Sequence, residues 1–312
     1  MQLKPDNVAE LSLLLAGAHE RGEKVLSFDL SALHRLLEHK AEDMTATVEA
    51  GMTLADLQRE LAKRGQWLPV DPPHPERLSI GALLATNASG PRRFGFGTVR
   101  DYLIGMTAVL ADGRVIHAGG KVVKNVAGYD LMKLFVGSRG SLGVIVEATF
   151  KVLPRPETEH FVEVNCDSAG QADQLLEAVL SSELAPVVLD LHKWLLDARQ
   201  LSLVVCFAGP RDEVEWQVSR ASELGFNQPT SLEYDRKFFE ATSSVQTLSV
   251  LPSVVCQAIG TLNGAPFVAR AGNGVIHHSG LLVPDRRERP TRLEQRLKDE
   301  FDPKHILPEV PA

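Results

Sequence analysis

The glycines constrain this chain more than any other feature. Twelve of its 24 glycines fall between Gly81 and Gly143. That region is therefore read as mostly loops and tight turns set among strands. Its last part, GSRGSLGVIVEATFKV, sets Gly137, Gly140 and Gly143 three residues apart, just ahead of a run that alternates like a β-strand. A dinucleotide fingerprint needs G-x-G-x-x-G between a strand and a helix, and a P-loop ends in Gly-Lys-Ser/Thr. Neither pattern fits here, so phosphates held at a helix N-terminus are not expected. Glycine leaves no Cβ between backbone and ligand and permits positive φ. The spacing therefore suits a loop lying flat against a ligand.

A second stretch, SIGALLATNASGPRRFGFGTVRDYLIG (Ser79 to Gly105), mixes glycines with Thr86, Asn87 and Ser89 and with Arg92, Arg93 and Arg100. Either stretch alone is more readily a set of turns and bulges. Together they point to a binding crevice with room for a diphosphate and its sugar. The formal charge of −7 argues against a nucleic-acid partner. Cys166, Cys206 and Cys256 are odd in number and far apart, which suggests a reducing, cytoplasmic setting without a disulfide framework. The histidines show no metal-ligand spacing, and the adjacent His277 and His278 would point to opposite faces of a strand. No metal is expected, no G-x-S-x-G elbow is present, and no catalytic residue emerges.

Periodicity predicts a helix from about Asn7 to Gly22, a strand over Met44–Gly51 and a helix from Thr53 to Gly65, with an Asp-Gly hairpin at Asp112-Gly113. After Pro154-Arg155-Pro156 the pattern becomes β-α-β-β-α, which resembles a ferredoxin-like unit. A boundary is placed there, with domains at 1–156 and 157–312. A last helix, TRLEQRLKDEF, is ended by Asp302-Pro303.

The Ser79–Gly105 stretch, KNVAGYDLMKL with GSRGSLG, and the terminal FDPKHILP resemble the FAD-binding domain of the vanillyl-alcohol oxidase/PCMH flavoprotein superfamily. Within it, the likeness is to the E-type subunits of bacterial glycolate oxidases. The resemblance implies an α+β, PCMH-type two-subdomain FAD-binding fold followed by an antiparallel, ferredoxin-like cap. It also implies oxidation of a small 2-hydroxy acid, and a complex with a D-type flavoprotein and an F-type iron–sulfur subunit. By the same resemblance, Ile80, Gly81, Asn87, Ser89 and Gly90 approach the pyrophosphate of FAD, and Arg93, Gly97 and Asp101 continue toward the flavin. Gly137, Ser138, Gly140, Gly143 and Val144 line the adenine–ribose or dimethylbenzene side.

Two departures stand out. Ala82 replaces a second glycine after Ile80-Gly81. The superfamily's first glycine loop is missing, since no glycine lies between Gly22 and Gly51 and GEKVL runs directly into SFDLSALHRLLEH. Hydrogen bonds to a charged group contribute about 1.5–3 kcal/mol each, so losing two costs roughly two to four orders of magnitude in affinity. The loop is also the usual place of a histidyl–flavin link, so FAD is expected to be noncovalent and weakly held. The alternative is a noncatalytic structural subunit with weakened FAD binding.

Overall fold

A computed structural model describes residues 1–120, 130–193, 201–280 and 291–310. Helix α1 (Val8–Arg21) starts where Asn7 accepts a hydrogen bond from the Glu10 N–H. It stops at Gly22, whose φ of 64° few other residues would adopt. It lies between two short parallel strands, Gln2–Leu3 and Ser27–Phe28. A five-stranded antiparallel sheet follows, built from β1 (Leu36–Lys40), β2 (Thr45–Glu49), β3 (Leu103–Val109), β4 (Val115–Gly119) and β5 (Val144–Lys151). Its order is β1-β2-β5-β3-β4, and Asp112-Gly113 lies in the β3–β4 turn. Helix α2 (Leu54–Ala62), capped by Thr53, buries Leu54, Leu57 and Leu61 against this sheet.

The Ser79–Gly105 stretch is not all loop. It contains helix α3 (Ile80–Thr86), capped by the Ser79 side chain, which accepts from the Ala82 N–H. Ile80, Leu83 and Leu84 fall at i, i+3 and i+4 and bury one face, a period that the surrounding glycines mask. A short turn of helix, α4 (Arg93–Phe96), follows.

The second sheet has seven strands: β6 (Thr158–Cys166), β7 (Val188–Lys193), β8 (Leu201–Gly209), β9 (Gln228–Pro229), β10 (Gln246–Ser249), β11 (Phe267–Arg270) and β12 (Val275–His278). The order is β9-β6-β8-β7-β11-β12-β10. Its first four strands, with α5 (Ala169–Leu180) after β6 and α6 (Arg211–Glu223) after β8, form the ferredoxin-like β-α-β-β-α-β unit. Register puts Leu189, Val205, Ala269 and Ile276 on one face with the core under α5, α6 and α8 (Val255–Gly260). Asp190, His192 and Arg270 fall on the other face, with α7 (Glu233–Ala241).

The chain then returns. Helix α9 (Arg292–Phe301) opens on a capping box between Thr291 and Glu294, and it packs Leu297 and Phe301 onto the core of the first sheet. Ile306 and Leu307 join the core around α1. The last residues described thus belong physically with the first sheet, although they follow the second in sequence.

Candidate cofactor site

The two glycine stretches meet. The Gly137 N–H donates to the Leu84 carbonyl at 2.9 Å, and the Arg139 N–H donates to the Ala85 carbonyl at 2.8 Å. The loop from Gly137 to Gly143 is thereby bonded to the last turn of α3. Next to this junction lies a cavity of about 420 Å³. Gly81 and Ala82 of α3 form one wall, and Ser138, Arg139, Gly140 and Gly143 form another. The first turn of α3 therefore borders the cavity.

The third wall is Phe28–Ser31, where the chain enters directly from the short strand Ser27–Phe28. No glycine loop intervenes. Asp29 instead presents a carboxylate tied to the Ser31 N–H at 3.0 Å and to Lys4 at 3.0 Å. The hydrogen bonds from Ser31 and Lys4 lower its pKa to about 2, so it is anionic at neutral pH.

The structure distributes the sequence-derived residues unevenly. Gly81, Ser138, Gly140, Gly143 and Val144 line the cavity. Ile80 does not present its side chain there, being fully buried in the core. Asn87 ends α3 with φ 50°, and its Oδ1 is buried with no partner among the described residues. Gly137 lies against Asn87.

Several glycines answer to protein packing. A Cβ on Gly90 would come within 1.9 Å of the Asp71 carbonyl oxygen, and one on Gly81 within 3.2 Å of Ala50. Ser89 is placed opposite Arg93, whose Nη1 lies 3.4 Å from its Oγ. Gly97 (φ 82°) and Asp101 form a local turn in which Asp101 caps Thr98. Arg93, Gly97 and Asp101 are not among the residues that line this cavity. Of the KNVAGYDLMKL motif, Lys124–Tyr129 lie outside the described residues.

Gly140 behaves differently. Its φ is 79°, and a Cβ there would meet nothing within 4 Å. Its freedom is required by the backbone conformation, and the space in front of it is open. Sequence reasoning missed Arg77 and Arg139, which also line the cavity. Nothing in the sequence marks Arg139 as a left-handed residue (φ 50°) inside a glycine triad.

A larger groove of about 1040 Å³ opens between the first sheet's body and the second. At its edge Arg92 bridges Asp71 at 2.9 Å and Glu159 at 2.8 Å. Burial opposes the Arg92 charge, but Glu159 and Asp71 outweigh it and hold the guanidinium above its ordinary pKa. Burial raises the pKa of Asp71, with Arg92 and Arg270 working against the rise. Behind it, Arg270 pairs with Asp190 and Asp235, each at 2.5 Å, and Tyr234 donates to Asp190.

The fold and cavity define the class: a two-subdomain PCMH-type FAD-binding fold with an additional antiparallel sheet. Residues 5–119 match the family model described as FAD binding domain, and the cofactor of this domain is FAD, held noncovalently. The open space at Gly140 and the two arginines in the lining fit a polar, anionic cofactor.

Among known proteins, the chain is 37% identical over 158 residues to glycolate oxidase subunit GlcD of Bacillus subtilis, covering 51% of this chain and 34% of that protein. It is 31% identical over 231 residues to a D-lactate dehydrogenase of Anaerostipes hadrus (68% and 48%). It is 39% identical over 131 residues to glycolate oxidase subunit GlcE of Escherichia coli (42% and 37%). The E-type subunit is therefore not singled out, and the chain spans a third to a half of these relatives' lengths. An alkyldihydroxyacetonephosphate synthase structure superposes with a TM-score of 0.74 at 19% identity, covering 98% of this chain and 75% of that one. That likeness concerns the fold alone. No helix among the described residues is long and apolar enough to cross a membrane.

Proposed function

We propose that this chain is a FAD-binding subunit of a dehydrogenase complex that oxidises a small 2-hydroxy acid, with glycolate to glyoxylate as the first substrate to test. The observation that carries this reading is the cavity formed where the two glycine stretches are hydrogen-bonded together. Relatives named as glycolate oxidase subunits, D-lactate dehydrogenases and D-2-hydroxyglutarate dehydrogenases support the substrate class. Bound flavin supplies a hydride acceptor for the α-carbon of such an acid. Gly81, Ser138, Gly140, Gly143 and Val144 give the cofactor its contact surface. The proposed partners are a D-type flavoprotein and an F-type iron–sulfur subunit, in the cytoplasm, with a domain boundary near residue 156.

A second reading, a structural subunit that holds FAD weakly, is favoured by Asp29. An anionic carboxylate in the cavity wall repels a diphosphate. One experiment separates the two. FAD per chain is measured after gel filtration, alone and co-expressed with the D- and F-type partners, together with glycolate- and D-lactate-dependent dye reduction. The first reading expects little FAD and little turnover from the chain alone, and flavin on this chain in an active complex. A complex that stays fully active when this chain carries no flavin would sink the first reading and leave the second.

A further inference from the structure

The cavity wall carries two cations without counter-ions among the described residues. Arg77, in the turn that leads into α3, and Arg139, in the loop opposite, both line it. Exposed arginines elsewhere in this chain mostly have an acid beside them: Arg21 has Glu23, Arg59 has Asp56, Arg64 has Glu42, Arg114 has Asp112 and Arg220 has Glu223. Neither Arg77 nor Arg139 has an ion pair among the described residues, in a chain of net charge −7 where acids are in excess. Asp29, the one carboxylate lining the cavity among the described residues, is already engaged by Lys4 and Ser31.

Backbone geometry fixes both positions. The Arg77 N–H donates to the His74 carbonyl at 3.0 Å, and the Arg139 N–H is tied to α3 through Ala85. The two arginines thus belong to separate walls that α3 joins into one unit. Guanidinium is always charged and presents several N–H donors in a fork, which suits the oxygens of a phosphate.

We propose that Arg77 and Arg139 hold the diphosphate of FAD between them and supply the positive charge that this site otherwise draws from backbone N–H groups alone. The inference rests on the reading of this chain as a FAD protein, and it assigns the diphosphate to side chains on two walls. It also accounts for the tolerance of Asp29, since two cations outweigh one carboxylate already paired with Lys4.

The test titrates apo protein with FAD and with riboflavin, which lacks the phosphates, following flavin fluorescence at low and high salt. Arg77→Gln, Arg139→Gln and the double variant are compared with wild type. Arg139→Gly serves as a second variant at that position, because glycine accepts the left-handed backbone without strain. Each single change is expected to weaken FAD binding about tenfold, and the double change about a hundredfold. Riboflavin binding should be unchanged and the salt dependence of FAD binding reduced. Arg→Lys at both sites should restore part of the affinity. FAD affinity within twofold of wild type in the double variant would overturn the inference, as would a parallel loss of riboflavin. A wild-type chain that takes up no FAD, alone or with partners, would remove the underlying reading first.

Discussion

Lys298 has no solvent exposure. Its Nζ donates to Asp302 at 2.6 Å and to the carbonyls of Ser141, Pro308 and Leu307 at 3.0, 2.9 and 3.2 Å. Asp302 in turn accepts from the N–H groups of Ile306 and Leu307. One side chain therefore joins α9, the terminal segment and the loop between Gly140 and Gly143. Breaking a buried pair leaves a bare charge, which costs about 3–5 kcal/mol. Lys298→Met should lower the unfolding midpoint by several degrees in a circular-dichroism melt; an unchanged midpoint would refute this role. Gly140→Val should weaken FAD binding, because its side chain would enter the open space of the cavity and resist positive φ. Gly65→Val is the matched control, having φ 66°, open space and no place in the cavity lining. Gly119 would serve badly, since a Cβ there meets the Ile104 carbonyl oxygen at 2.2 Å. Equal FAD affinity in folded Gly140→Val and Gly65→Val proteins would take residue 140 out of the site. The sequence marked these glycines but could not say what each one faces. A glycine required by a neighbouring carbonyl, like Gly90, reads the same as one required by a ligand.

Elements were legible where a cap and a period agreed. The helices after Asn7 and Thr53 and the strand after Gly143 lie where the residues predict them. Helix α3 was hidden because two turns flanked by glycine and asparagine offer too short a window for periodicity. The ferredoxin-like unit was readable from its alternation, but the three added strands were not, since β10, β11 and β12 have only four residues each. The inner face of that second sheet carries His192, stacked on Tyr234 with ring centroids 4.3 Å apart. Neither of its ring nitrogens has a partner among the described residues. Burial lowers its pKa from 6.5 to about 4. Between those values the unfolded chain binds a proton that the folded chain refuses, so stability falls as pH drops from 6.5 toward 4. The full effect is about 3 kcal/mol. His192→Phe keeps the stacking and removes the titration, so it should unfold at lower pH than wild type. An acid midpoint at or above that of wild type would argue against this account.

At the scale of the whole molecule, the change in composition suggested a boundary near Pro156, but nothing in the residues signalled the return of α9 to the first sheet. Its sequence reads as a charged surface helix, and nothing in the pattern RLEQRLKDEF says that the lysine is its innermost residue. Arg92, bridging Asp71 and Glu159, was quoted within a motif, yet its place across the junction depends on the second sheet being present. Removing residues 291–312 should therefore damage the first body and spare the second. Hydrogen exchange on the shortened chain should show protection lost in β3 and β5 and retained in β7 and β8. Uniform loss across both sheets would mean that the two bodies unfold as one. The returning helix also orders events during synthesis. The loop between Gly140 and Gly143 leaves the ribosome about 155 residues before the lysine that anchors it, as the separation of 157 between Ser141 and Lys298 requires. Throughout that interval the second body is being made, while the cavity still lacks its backing. Flavin uptake would then wait until that lysine has been made, and the supply of free FAD from that moment on would decide how many molecules are filled.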